Sequence, residues 1–200
     1  MTRIWKWAAG FLLALALTAC GQSAAPPPGM TDIKGIMPAL ALSMTRANDG
    51  AAVSARDYRG KVSVVYFGYT HCPDVCPTTL SNLSLALGAM GGDAQKVRVL
   101  FVSVDPDRDT LPVLKSYVAA FAPQIDGLHG TANSIAALAR RYRVAYSVTP
   151  ASATQSYEVM HSNSVFFFDA EGRARFVTMH TEDQGALVKT LRYLIDSASD

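Results

Sequence analysis

The chain lacks a strong charge of either sign: eighteen Lys and Arg stand against sixteen Asp and Glu. That balance leaves no electrostatic footprint for nucleic acid. It gives no basic patch for an anionic membrane surface either. Cysteine is scarce, with three residues in 200, so at most one internal bridge is available. Long apolar runs are also missing. The stretch from Ala8 to Leu17 falls short of the ~20 residues that a transmembrane helix needs. No internal repeat is visible, which sets aside solenoids and arrays. What remains is a chain that is 50% hydrophobic and 17% charged. Its length suits one globular domain with a real core.

Arg3 and Lys6 precede the apolar run from Ala8 to Leu17, the pattern of a signal-peptide core. The run ends in Leu17-Thr18-Ala19-Cys20, which resembles a lipobox. That resemblance implies cleavage after residue 19 and lipid on Cys20, so residues 1–19 read as a lipoprotein signal peptide. Their removal would take away Arg3 and Lys6 and no acid, leaving sixteen basic residues against sixteen acidic ones. Residues 20–35 read as a flexible tether, because the small residues and prolines from Gly21 to Gly29 cannot build a core. The domain is expected over residues 36–200. It would be lipid-anchored to a membrane of the cell envelope, outside the cytoplasm on the periplasmic side.

Within that domain, Leu40 to Thr45 alternates loosely and suggests a first strand, followed by the Asn48-Asp49-Gly50 turn. Val62 to Phe67 and Val97 to Val104 are β-branched and aromatic runs, the signature of buried strands. Leu80, Leu83, Leu87 and Met90 repeat at helical spacing, with Pro77 suited to the first turn. Further helices are predicted around Leu114 and Val118, and around Ile135 and Leu138 with Thr131 as N-cap. Residues 147–160 read as a loop. Val165 to Phe168 and Arg175 to Thr178 flank Asp169-Ala170-Glu171-Gly172 as a hairpin, and a last helix carries Leu187, Leu191 and Leu194. Strands alternating with helices, then a hairpin and a helix, predict an α/β class. The expected architecture is a thioredoxin-like fold with a central mixed sheet flanked by helices.

Cys72 and Cys76 lie where the strand from Val62 ends and the next helix begins. The crevice beyond strand carboxyl ends is the usual ligand site of α/β sheets. A helix N-terminus favours the thiolate, the form that attacks disulfides and binds metal, so both cysteines are expected to be reactive. Positions i and i+4 of a helical turn share a face, which lets the sulfurs converge. A disulfide between them would close only a tiny loop and contribute little stability. Two thiolates suit soft metals. Structural zinc and iron–sulfur centres call for four ligands, whereas copper accepts two sulfurs and one imidazole.

Four histidines could complete such a site. His71 reads as a turn residue, His129 as structural or solvated, and His180 as exposed. His161 precedes the strand from Ser164 to Phe168. If that strand lies beside Val62 to Phe67, the imidazole reaches the cysteine end of the sheet; otherwise it is an ordinary loop histidine. Asp105, Asp107 and Asp109 lack the Gly and distant Glu of a calcium loop. They read as caps around a Pro turn, with Arg108 pairing locally; the alternative is a role behind the metal ligands or in docking a partner.

The segment Tyr66-Phe67-Gly68-Tyr69-Thr70-His71-Cys72-Pro73-Asp74-Val75-Cys76-Pro77-Thr78 resembles the signature of the Sco/SenC copper proteins. Phe101 to Thr110 is similar to their second block, and Tyr157-Glu158-Val159-Met160-His161-Ser162 to their histidine block, in the family's order. The resemblance covers roughly residues 36–197. It implies a thioredoxin-like fold, copper as the metal, as Cu(I) or Cu(II), and Cys72, Cys76 and His161 as its ligands. It further implies a metallochaperone delivering copper to the CuA-bearing subunit of cytochrome c oxidase, and leaves thiol–disulfide oxidoreductase activity open. Another copper chaperone or a thioredoxin-like reductase would be a further partner. One position departs: Met160 stands where many members carry Asp, and its side chain reads as packing rather than as a ligand.

Two other readings compete. A thiol–disulfide oxidoreductase would use Cys72 and Cys76 as a redox-active disulfide, keep the CuA-site cysteines or other envelope thiols reduced, and leave His161 idle. A thiol peroxidase would need one reactive cysteine beside an arginine and neither of the other two groups.

Overall fold

A computed structural model describes residues 26–154 and 157–197. The expected signal peptide and Cys20 lie outside these residues. Ten strands and four α-helices follow in order: β1 (Thr31–Asp32), β2 (Ser43–Arg46), β3 (Ala52–Ser54), β4 (Val62–Gly68), α1 (Val75–Met90), β5 (Val97–Ser103), α2 (Leu111–Ala119), β6 (Ile125–His129), α3 (Ala132–Arg141), β7 (Tyr146–Thr149), β8 (Glu158–His161), β9 (Val165–Phe168), β10 (Ala174–Thr178) and α4 (Gln184–Asp196). Eight strands form one sheet in the order β1-β10-β9-β4-β5-β6-β2-β3. The central strands β4, β5 and β6 run parallel, and the flanking strands pair antiparallel. This is the expected mixed sheet with helices on both faces.

Every residue of β4 is buried, because both faces of the sheet are covered. Val64, Tyr66, Val99 and Phe101 point to one side, where they meet Leu80, Leu83 and Leu87 of α1 and Leu187 and Leu191 of α4. Val65, Phe67, Leu100 and Val102 point to the other, against Ile135 and Leu138 of α3 and the ring of Tyr142. The two-residue alternation of strands divides the apolar run into these two cores. Thr131 caps α3 as expected, its hydroxyl accepting from the Ser134 N–H, and Pro77 lies in the first turn of α1.

Three local expectations need correction. Residues 147–160 are not simply a loop: β7 and β8 form a separate two-stranded ribbon that carries His161. Its alternation was masked because exposed polar residues such as Ser147 and Glu158 face solvent while Val159 alone on β8 turns fully inward. The first long strand begins at Ser43 rather than Leu40. The domain also reaches back into the stretch read as tether. Thr31 and Asp32 pair with β10, and Met30 and Ile33 are buried, whereas Ile36 is 63% exposed.

Candidate metal centre

The antiparallel pairing of β9 with β4 sets Val165 opposite Tyr66, so the chain entering β9 arrives at the carboxyl end of β4. The Tyr69–Asp74 turn begins at that same end. One ligand atom each from Cys72, Cys76 and His161 lie within 4.8 Å of one another, the one group of three or more metal-ligating side chains found among the described residues. These three could hold a metal ion. His71 and His180 stay exposed, near Asp109 and Glu182 respectively. His129 Nε2 faces the Pro106 carbonyl. None of the three joins the cluster.

Cys76 is the second residue of α1, but Cys72 precedes the Asp74 N-cap, so the sulfurs converge across a turn rather than along a helix face. The Cys76 N–H donates to the Cys72 sulfur at 3.4 Å. Both cysteines are free thiols, Cys72 partly exposed and Cys76 buried. Burial pushes the Cys76 thiol up to about 12, the opposite of what the helix N-terminus alone predicts. Desolvation outweighs the dipole because a thiolate in an apolar pocket loses its water. Gly68 makes room for that sulfur: a Cβ there would lie 2.8 Å from Cys76 Sγ and 2.6 Å from the Phe101 ring.

His161 closes the site from the other side. Its Nδ1 lies 3.0 Å from the Ser162 carbonyl and its Nε2 lies 3.2 Å from Cys76 Sγ. A carbonyl only accepts, so the proton belongs on Nδ1 and the Nε2 lone pair faces the sulfurs. Burial lowers the His161 pKa and keeps the ring neutral, the form that ligates. The rings of Tyr66 and Tyr69 stand edge-on to it, with centroids at 6.1 and 5.8 Å. The orienting role that a carboxylate at position 160 would fill therefore falls to a backbone carbonyl. Met160 itself is 60% exposed, which overturns the packing role expected of it. It lines, with Cys72, Pro73, Val75 and His161, an open cavity of about 470 Å³.

The Asp105–Asp109 segment after β5 does more than cap. Arg108 pairs with Asp105 as expected. Asp109 is fully buried and accepts from the Thr70 N–H, the Thr70 hydroxyl and the Ser103 hydroxyl. It thereby anchors the turn two residues before Cys72. This matches the alternative reading of these acids, a role behind the ligands, rather than capping alone.

A sequence model of the SCO1/SenC family matches residues 44–196. The chain is 40% identical over 118 residues to the mitochondrial SCO2 homolog of Bos taurus, a match covering 58% of this chain and 44% of that protein. It thus spans less than half the length of that curated relative. Among solved structures it is similar to Bradyrhizobium japonicum ScoI with copper bound, at 36% identity and a TM-score of 0.69, covering 78% of this chain and 98% of the other. Yeast Sco1 with copper bound is similar at 31% identity and a TM-score of 0.71, covering 80% and 90%.

Proposed function

The chain belongs to the SCO1/SenC family, and on that basis we propose that it is a copper metallochaperone that takes up copper through Cys72, Cys76 and His161. The recipient in this reading is the CuA-bearing subunit of cytochrome c oxidase. The observation that carries the proposal is the convergence of two sulfurs and an imidazole nitrogen within 4.8 Å. Two soft sulfurs and one neutral imidazole match the coordination preferences of copper. The partly exposed Cys72 at the cavity wall is the ligand an acceptor thiolate would reach first.

A purely thiol-exchanging protein would need only the two cysteines. The neutral, oriented Nε2 of His161 would then serve nothing. The reading includes the envelope setting: residues 1–19 as a leader, lipid on Cys20, and the domain on the periplasmic side. No helix among the described residues is long and apolar enough to cross a membrane, so in this reading the lipid provides the attachment.

The test is anaerobic copper titration of the reduced protein beside Cys72→Ala and His161→Ala. One copper per chain, with sulfur-to-metal charge-transfer absorption for Cu(II) that both substitutions abolish, is the expected result. Copper affinity unchanged in His161→Ala would show the ligand set to be wrong.

A further inference from the structure

The β7–β8 ribbon is paired only with itself and shares no backbone ladder with the eight-stranded sheet. His161, at its end, must nevertheless meet cysteines held by β4 and α1. Among the described residues, two side-chain hydrogen bonds join the ribbon and its leading residue Tyr157 to the sheet domain. One is the Cys76–His161 contact itself. The other is the Tyr157 hydroxyl donating to Asp105 Oδ1 at 2.6 Å.

Asp105 is an unusual seat. It is 1% exposed, its backbone N–H donates to Ser103 Oγ, and its second carboxylate oxygen is taken by Arg108 Nε. The Arg108 guanidinium lies 3.8 Å from the centroid of the Tyr157 ring and 6.0 Å from that of Tyr69. Tyr69 in turn stands edge-on to His161. A buried carboxylate, a stacked guanidinium and two tyrosines thus run from the end of β5 to the imidazole. Hydrogen bonds to charged acceptors are stronger than neutral ones, and the half-buried guanidinium over an aromatic face adds to the hold.

We propose that Tyr157, seated on Asp105 and Arg108, is a positioning residue that sets where the His161 imidazole meets the two sulfurs. The Asp105–Arg108 pair is its dock. The inference rests on the copper reading for its consequence, but the positioning itself is a property of the metal-free chain.

The first experiment therefore uses the reduced, metal-free full chain. Nuclear Overhauser contacts from the His161 ring to Tyr69 and Tyr66 are measured in Tyr157→Phe, Asp105→Ala and Asp105→Asn. Tyr157→Phe removes one hydroxyl and keeps the ring on Arg108. The expected result is loss of the His161–Tyr69 contact in Tyr157→Phe and Asp105→Ala, and partial retention in Asp105→Asn, which keeps an acceptor oxygen. Backbone spectra of β4 and β5 should stay unchanged. The second experiment is Cu(I) competition against a chelator. Tyr157→Phe should retain Cu(I) roughly 10-fold less well, in the range of changes made behind a metal ligand. Added to His161→Ala it should have no further effect, since the residue it positions is gone. Unchanged ring contacts in Tyr157→Phe, or an additive double variant, would overturn the inference. Should the parent chain take no copper, the proposed function falls and the ring contacts alone decide the positioning.

Discussion

His161 Nε2 lies 3.2 Å from Cys76 Sγ across 85 residues of sequence, and neither group reaches the other without the β4–β9 pairing. The contact joins a thiol raised by burial to an imidazole lowered by burial. Both groups rest neutral, and a soft metal entering between them would displace the thiol proton. The surroundings of that contact lead to three further predictions, and a buried carboxylate on β6 leads to a fourth.

Gly68→Ala should harm the site and the core together. Its Cβ would meet the Phe101 ring at 2.6 Å and Cys76 Sγ at 2.8 Å, and both neighbours are fully buried. Overpacking of this kind costs about 1–3 kcal/mol. Thermal unfolding should show that loss, with copper affinity falling as the sulfur is pushed aside. A parent-like melting temperature would mean that Phe101 can yield.

Asp109→Ala should loosen the cysteine turn. It leaves the buried Ser103 hydroxyl and the Thr70 N–H without their acceptor, at about 1–3 kcal/mol for a buried group left unpaired, and leaves the Thr70 hydroxyl with His71 Nδ1 in reach. Hydrogen exchange at the Thr70 amide should rise, while amides in the middle of β5 stay protected. Equal protection in the variant and the parent would argue against the anchor.

Met160→Leu should change little. The side chain is 60% exposed, so stability should move by less than ~0.5 kcal/mol. The imidazole already has its orienting acceptor in the Ser162 carbonyl. Chelator competition should give a copper affinity within about three-fold of the parent, since outer-shell partners that do orient a ligand are worth 10–100-fold. A larger drop would assign the thioether a role in coordination.

Asp126 should make stability depend on pH. Burial raises its pKa, and the Arg46 charge offsets this only in part. The neutral form is therefore favoured in the folded state. Its contribution is full below the unfolded carboxylate value near ~3.9 and is lost as pH rises through the raised folded value. Asp126→Asn removes this loss, so urea unfolding should show the variant gaining on the parent as pH rises from 4 toward neutrality. A constant difference over that range would refute the assignment.

Several features were legible in the sequence because they rest on local chemistry. Val62 to Phe67 and Val97 to Val104 carry the β-branched and aromatic pattern of buried strands, and Thr131 offers the cap that α3 uses. The Cys72–Cys76 spacing, at the junction of a buried strand and a helix, marked the place where three potential metal ligands meet. The tertiary structure decided what depends on contacts distant in sequence. Periodicity could not reveal the β7–β8 ribbon, since its strands bury few side chains and pair only with each other. Nor could it reveal that Tyr157 reaches Asp105 across 52 residues. The helix N-terminus visible in the sequence favours a thiolate at Cys76, yet the packed core raises that thiol to about 12. Desolvation is set by everything folded around the sulfur, and no local stretch of sequence encodes it.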